Sequence, residues 1–236
     1  MSSKLSFIEV RSVGSGVKSG VPLRVNDVIR RQRLIDLLHR NIDSRVQVLS
    51  APAGYGKTTL LVDFINDLDI PVCWYSLDES DRDPRIFIEG LSISVRSQFP
   101  DFCHQSDTPL LPTFELAKYT AKLVDAFINE LAAKVSEYTI FVIEDYHFIG
   151  DSSLLKTAFD LLLNNMPNNC HLIISSRSSI ELPALSKLVV QRKANYLSIS
   201  DISFTPTETK DLLATYCSIN LSDSEVEKLV AKQTAG

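Results

Sequence analysis

The sequence contains no apolar run approaching the roughly 18–20 residues a helix needs to cross a bilayer, which excludes a membrane span. It also lacks a secretory leader, because Met1, Ser2, Ser3 and Lys4 run into a polar, glycine-dotted stretch rather than an apolar core. The four cysteines (Cys73, Cys103, Cys170, Cys217) include no C-x-x-C pair, and the four histidines (His39, His104, His147, His171) show no ligand spacing. That pattern argues against a metal held by Cys or His, and for buried reduced thiols in a cytoplasmic protein. Positive charge is also in deficit, the net charge being −5. A nucleic-acid-binding domain usually shows a basic face, so this chain is a poor candidate for touching DNA itself. The local basic run of Arg30, Arg31 and Arg33 falls on a short helical pattern and reads as a solvated helix face.

With 236 residues, 44% of them hydrophobic, the chain is long enough for one α/β domain with a core and part of a second. Residues 1–20, with Gly14, Gly16 and Gly20 among serines and valines, read as a flexible lead-in. Val28, Ile29, Leu34, Leu37 and Leu38 predict a helix over about 31–41. Short apolar runs at Val46–Leu49, Val72–Tyr75, Ile140–Ile143 and His171–Ile174 read as buried strands. Helical patterns separate them, over 59–68, 85–99 and 114–135, with a Pro/Asp/Ser-rich loop between the last two. Strands that are apolar throughout and alternate with helices argue for a parallel sheet covered on both faces, over residues 21–204. From Thr205-Pro206-Thr207-Glu208 the pattern changes. A capping threonine, a proline at the first helical position and a glutamate at the third form a strong helix start, and Ser222-Asp223-Ser224-Glu225 repeats the signal. Two helices without strands predict that a small helical domain begins at 205 and is incomplete at 236.

The segment Ala51-Pro52-Ala53-Gly54-Tyr55-Gly56-Lys57-Thr58 lies between a predicted strand and a predicted helix. It follows the phosphate-loop pattern G-x-x-x-x-G-K-[S/T] with alanine for the first glycine, a change that fits if Ala51 avoids a positive φ. Such loops aim successive backbone N–H groups at phosphate oxygens, and the following helix adds its partial positive charge. Lys57 would reach the β- and γ-phosphates, and the Thr58 hydroxyl would ligate Mg2+. The ion needs a carboxylate from a neighbouring strand end, and among the apolar strands only Ile143-Glu144-Asp145 supplies adjacent acids. One of the two would hold the metal, and the other would orient or deprotonate the attacking water. Arg177, just after the 171–174 strand, is the candidate γ-phosphate sensor, since a guanidinium reads phosphate bidentately. No guanine reader of the N-K-x-D type occurs, because Thr209-Lys210-Asp211-Leu212 misplaces the aspartate, so ATP is favoured. An L-S-G-G-Q transporter signature is absent too.

Five motifs in order resemble the MalT-like STAND ATPases. They are Ala53 to Thr59 with Leu60, Trp74 to Glu79 with Asp81, Ile143 to His147, Ser176-Arg177, and Phe204-Thr205 with Glu208. The resemblance runs from about Val28 to the end and implies a P-loop NTPase three-layer sandwich of the AAA+/STAND kind, a cytoplasmic ATP/ADP and Mg2+ switch. It places Ala53, Gly54, Tyr55, Gly56, Lys57, Thr58 and Thr59 around the phosphates. Thr58, Glu144 and Asp145 fall to the metal, Glu144, Asp145 and Arg177 to catalysis, and Ile29 and Arg31 near the adenine. It further implies self-association of a full-length regulator that touches DNA only through a C-terminal domain not in this chain. Glu144 departs from the usual Asp-Asp pair, which would alter metal geometry and slow hydrolysis. Of the arginines usual around 189–192 only Arg192 is present, and Lys232 to Gly236 resembles the stretch just before a Gly-Trp-Pro element. The alternatives are a stand-alone P-loop enzyme such as a small-molecule kinase, and a non-hydrolysing ATP-dependent scaffold.

Overall fold

The computed structural model describes residues 18–24, 29–102, 116–219 and 221–226. Residues 1–17 of the expected lead-in, Val28, the 103–115 part of the expected loop and helix start, and the end from 227, with Lys232 to Gly236, lie outside the described residues. Five strands form one sheet: β1 (Val46–Ser50), β2 (Val72–Ser76), β3 (Thr139–Glu144), β4 (Cys170–Ser176) and β5 (Ala194–Leu197). Their order is β2-β3-β4-β1-β5, and every pairing is parallel.

Successive side chains on a strand point to opposite faces, and the two cores follow that alternation. Val46 and Val48 pack into one core with Phe141, Ile143, Leu172 and Ile174. The helices over this face are α3 (Pro84–Gln98), α4 (Leu116–Lys134), α5 (Ser153–Asn165) and α6 (Pro183–Val190), which contribute Phe87, Phe127, Phe159 and Leu185 among others. Leu49, Ile140, Val142 and Ile173 point the other way, into a core shared with α1 (Gln32–Arg40) and α2 (Lys57–Ile65). The result is the expected three-layer α/β sandwich. Among the described residues, no helix is long and apolar enough to cross a membrane.

Strand β5 and helix α6 are additions to the sequence reading. The Ala-Asn-Tyr-Leu run of β5 has only Leu197 fully buried and Tyr196 is 40% exposed, so the edge strand carries no apolar signature. On the opposite edge, Lys18 to Gly20 lie antiparallel along β2: Ser76 N–H donates to the Lys18 carbonyl at 2.8 Å and Gly20 N–H to Trp74 at 3.3 Å. The solvated-face reading of the basic run holds for Arg30 and Arg33, which are exposed, and fails for Arg31, which is only 5% exposed. Beyond β5 come a short turn, α7 (Ile199–Ile202), and then α8 (Pro206–Cys217). The expected capping box opens α8: Glu208 N–H donates to the Thr205 hydroxyl at 3.2 Å, and Thr205 N–H to the Glu208 carboxylate at 2.9 Å.

The Trp74–Asp81 motif has a structural explanation. Asp78 and Asp81 form a capping box on the 3-10 turn Glu79–Arg82. Buried Asp81 also accepts from the Tyr75 hydroxyl at 2.6 Å and from the Lys18 ammonium at 2.9 Å. The Tyr75 ring then runs against α3 where Gly90 has no side chain, and a Cβ at Gly90 would sit 2.0 Å from the Tyr75 hydroxyl oxygen. Gly90→Ala should therefore lower stability by about 1–3 kcal/mol through overpacking, although alanine favours a helix by nearly ~1 kcal/mol over glycine. Thermal unfolding of both proteins checks this; an unchanged or raised Tm would show that Tyr75 can swing away at no cost.

Candidate nucleotide site

Helix α2 follows β1 onto one face of the sheet, whereas α6 follows β4 onto the other. The carboxyl ends of the neighbouring strands β1 and β4 therefore flank the crevice where the winding reverses, which is where doubly wound sheets place ligands. The phosphate loop occupies that crevice. Gly54 and Gly56 take left-handed backbone angles, φ 88° and 71°, and Gly56 caps α2, so the loop needs glycine at both positions. Ala51 is not among the positive-φ residues, which is the condition for alanine at the first loop position. Its N–H is fastened to the Ser176 carbonyl of β4 at 3.3 Å.

Lys57 is 8% exposed, and its ammonium folds back on the loop, donating to the carbonyls of Ala51 at 2.5 Å and Pro52 at 3.0 Å. Burial holds its pKa below the usual lysine value; Asp145 and Glu144 oppose that shift and Arg177 adds to it, which places all three charges around one ammonium. Thr58 donates its hydroxyl to Glu144 Oε1 at 2.6 Å. Glu144 is 5% exposed, and burial raises its pKa against the hydrogen bonds from Thr58 and Ser76. The carboxylate thus reaches the loop although β3 is not the neighbour of β1. β4 lies between them, and this corrects the expectation of an adjacent strand.

Asp145 adopts the left-handed conformation at φ 57°, which turns the chain sharply after β3. Asp tolerates that region better than most residues, and such outliers cluster at functional sites. Its carboxylate stands 3.9 Å from Arg177 Nε and 3.7 Å from His147 Nδ1. Burial lowers the His147 pKa, with the Asp145 charge opposing that shift and the Arg177 and Lys57 charges adding to it. Arg177 projects half exposed from the end of β4, beside the first residue of the loop.

Arg31 lies against the same loop from behind. Its guanidinium donates to the Tyr55 carbonyl at 3.4 Å, to the Ile202 and Ser203 carbonyls at 2.6 and 3.0 Å, and to Glu208 at 3.1 Å. It also stacks over the Phe204 ring, 4.1 Å from the centroid. Ile29 is half-buried on the segment leading to Arg31. Two residues of the Trp74–Glu79 motif, given no role at the site by the sequence, reach it: Ser76, which donates to Glu144 Oε2 at 3.4 Å, and Trp74, whose indole N–H donates to Ser76 at 3.2 Å. Their signal was present in register, since β3 pairs Ser76 with Glu144, but strand order cannot be read from a single sequence.

No protein-family model matches the chain. Curated proteins do. The HTH-type transcriptional regulator MalT of Yersinia enterocolitica is 28% identical over 211 residues, which cover 88% of this chain and 22% of that protein. MalT of Vibrio cholerae is 30% identical over 162 residues, covering 67% and 17%, and MalT of Serratia proteamaculans is 30% identical over 192 residues, covering 80% and 20%. The chain thus spans about a fifth of the length of these relatives. Among solved structures, a Walker-type ATPase of Pyrococcus abyssi matches with a TM-score of 0.47 at 14% identity, over 88% of this chain and 64% of that one. A STAND protein with a tetratricopeptide-repeat sensor from Pyrococcus horikoshii matches with a TM-score of 0.48 at 15% identity, over 89% and 28%.

Proposed function

We propose that this chain, a MalT-like P-loop ATPase module in sequence and fold, is a nucleotide switch that binds MgATP and hydrolyses it slowly. The observation that carries this reading is the convergence of Lys57, Thr58, Glu144, Asp145 and Arg177 at one crevice, with the Thr58 hydroxyl and Glu144 carboxylate 2.6 Å apart. Backbone N–H groups from Ala53 to Thr59 would cradle the phosphates at the start of α2. Lys57 would exchange its two carbonyl partners for β- and γ-phosphate oxygens. Among the described residues no cluster of three or more His, Cys, Asp or Glu could hold a metal alone. That fits Mg2+, which takes one or two protein oxygens and completes its shell with water and phosphate. Thr58 and Glu144 would hold it, with Asp145 close by; when bound, the ion neutralises charge developing on the β- and γ-phosphates.

Asp145, left outside the Thr58–Glu144 hydrogen bond, would orient or deprotonate the attacking water. Arg177 would read the γ-phosphate and lose that partner after hydrolysis. Arg31 touches the loop through the Tyr55 carbonyl, so with Ile29 it would shape the adenine side of the site while anchoring the segment before α8. The relatives are named as HTH-type transcriptional regulators, and we carry over that role: a switch of this kind would serve a longer regulator that self-associates and meets DNA through another domain.

Single-turnover hydrolysis tests the assignment. Asp145→Asn should bind MgATP nearly as well as the parent and hydrolyse it about a hundredfold or more slowly, the contribution of a positioned general base. Glu144→Gln should lose the magnesium dependence of binding. If Glu144→Gln instead kept metal binding and abolished hydrolysis, while Asp145→Asn did the reverse, the two roles would be exchanged. If both variants hydrolysed ATP like the parent, the roles given to Glu144 and Asp145 would fall.

A further inference from the structure

At the opposite end of the sheet from the phosphate loop, the amino ends of β1 and β4 meet the carboxyl ends of α1, α5 and α6 around a cavity of about 570 Å3. In a chain of net charge −5, its walls are basic: Arg40, Arg45, Lys187, Arg192 and Lys193 line it, with Asp43 the one carboxylate. Arg45 is already committed, donating to the carbonyls of Pro167 at 2.7 Å and of Met166. Asp43 accepts from the Tyr138 hydroxyl at 3.3 Å. The other four cations are exposed and make no ion pair or side-chain hydrogen bond among the described residues.

The bland account is that helix carboxyl ends attract cations. It suffices for Arg40, the last residue of α1, and for Lys187, in the last turn of α6. It does not suffice for Arg192. The chain leaves α6 through a left-handed residue: Arg192 N–H bonds the Val189 carbonyl at 3.0 Å, Lys193 N–H bonds the Leu188 carbonyl at 2.9 Å, and Arg192 has φ 57°. Glycine is the favoured residue at such a helix exit, because any Cβ there is strained. Here the position carries an arginine that lines the cavity.

We propose that this cavity is a second anion site, taking a small metabolite with at least two phosphate groups. Its volume falls in the range of about 300–1,000 Å3 of small-molecule pockets, and guanidinium and ammonium groups without carboxylate partners are the chemistry that binds phosphate. A nucleic acid fits less well, since the basic surface is local and the chain as a whole is acidic.

Inorganic pyrophosphate is the probe, titrated calorimetrically without divalent metal into Lys57→Ala protein, so that the phosphate loop lacks its ammonium and competes only weakly. One binding event is expected, weakened about tenfold or more by adding Arg192→Gly, the scale of losing charge-assisted hydrogen bonds, and weakened again by Lys187→Ala with Lys193→Ala. Arg192→Gly should melt at the same temperature as its parent or higher, because glycine suits that backbone. A fall in Tm would mean that the arginine is there for stability. No pyrophosphate binding in the Lys57→Ala background, or binding indifferent to Arg192→Gly, would overturn the site. So would tight binding of a duplex oligonucleotide that pyrophosphate does not displace.

Discussion

Lys57→Ala should remove MgATP binding and leave the fold in place. Hydrogen bonds to charged groups are worth about 1.5–3 kcal/mol each, so losing an ammonium that faces two phosphates should weaken binding roughly a hundredfold or more. The fold should tolerate the change because the lysine now bonds only two carbonyls of its own loop, Ala51 and Pro52, and burial already works against its charge. Calorimetry reads the affinity and circular dichroism the fold. Unchanged ATP affinity in a folded variant would remove the phosphate-loop assignment altogether, and with it the proposed switch.

Arg31→Ala should have the largest effect on stability, a loss of about 3–5 kcal/mol, the scale seen when one partner of a buried ion pair is deleted. Arg31 is 5% exposed and Glu208 13%, and one guanidinium serves Glu208 and three backbone carbonyls. Lysine cannot replace that fork, so Arg31→Lys should recover only part of the loss. Burial alone would raise the Glu208 pKa. The hydrogen bonds from Arg31 and the Thr205 N–H, with the Arg31 and Arg33 charges, overcome it and hold the carboxyl below its ordinary value. A depressed carboxyl pKa contributes stability that is present above the unfolded value near 4.5 and is lost as pH falls through the folded value. The difference between parent and Arg31→Ala should accordingly be full at pH 7 and shrink below about pH 4.5. Denaturant unfolding across pH measures it. A constant difference at every pH would show that the ion pair with Glu208 contributes nothing, and no difference at pH 7 would remove the anchoring role of Arg31.

What escaped the sequence was governed by edges and by partners. Strand β5 lies at an edge, with one face half open to solvent, so no apolar run marks it. Arg31 sits in a run of charged residues that reads as solvated, and its burial depends on acceptors 171 to 177 residues away at Ile202, Ser203 and Glu208. No local pattern encodes a partner at that separation. Arg192 is similar: its residue type is legible, but its left-handed backbone and its place on the cavity wall are not.

By itself the sequence determined the elements whose physics is local. The central strands followed from short, largely apolar runs, because a strand covered on both faces buries nearly every side chain. The α8 start followed from its capping residues, which satisfy their own N–H groups within one turn. The phosphate loop followed from two glycines, a lysine and a threonine between a strand and a helix. Only the tertiary structure decided how these parts meet. It fixed the order β2-β3-β4-β1-β5, and so put Glu144 across β4 from its loop, set Ser76 beside it and brought Arg177 between them. Strand order is chosen by the packing of helices on both faces, a sum of many contacts between residues far apart in sequence, and no window of the chain contains that sum.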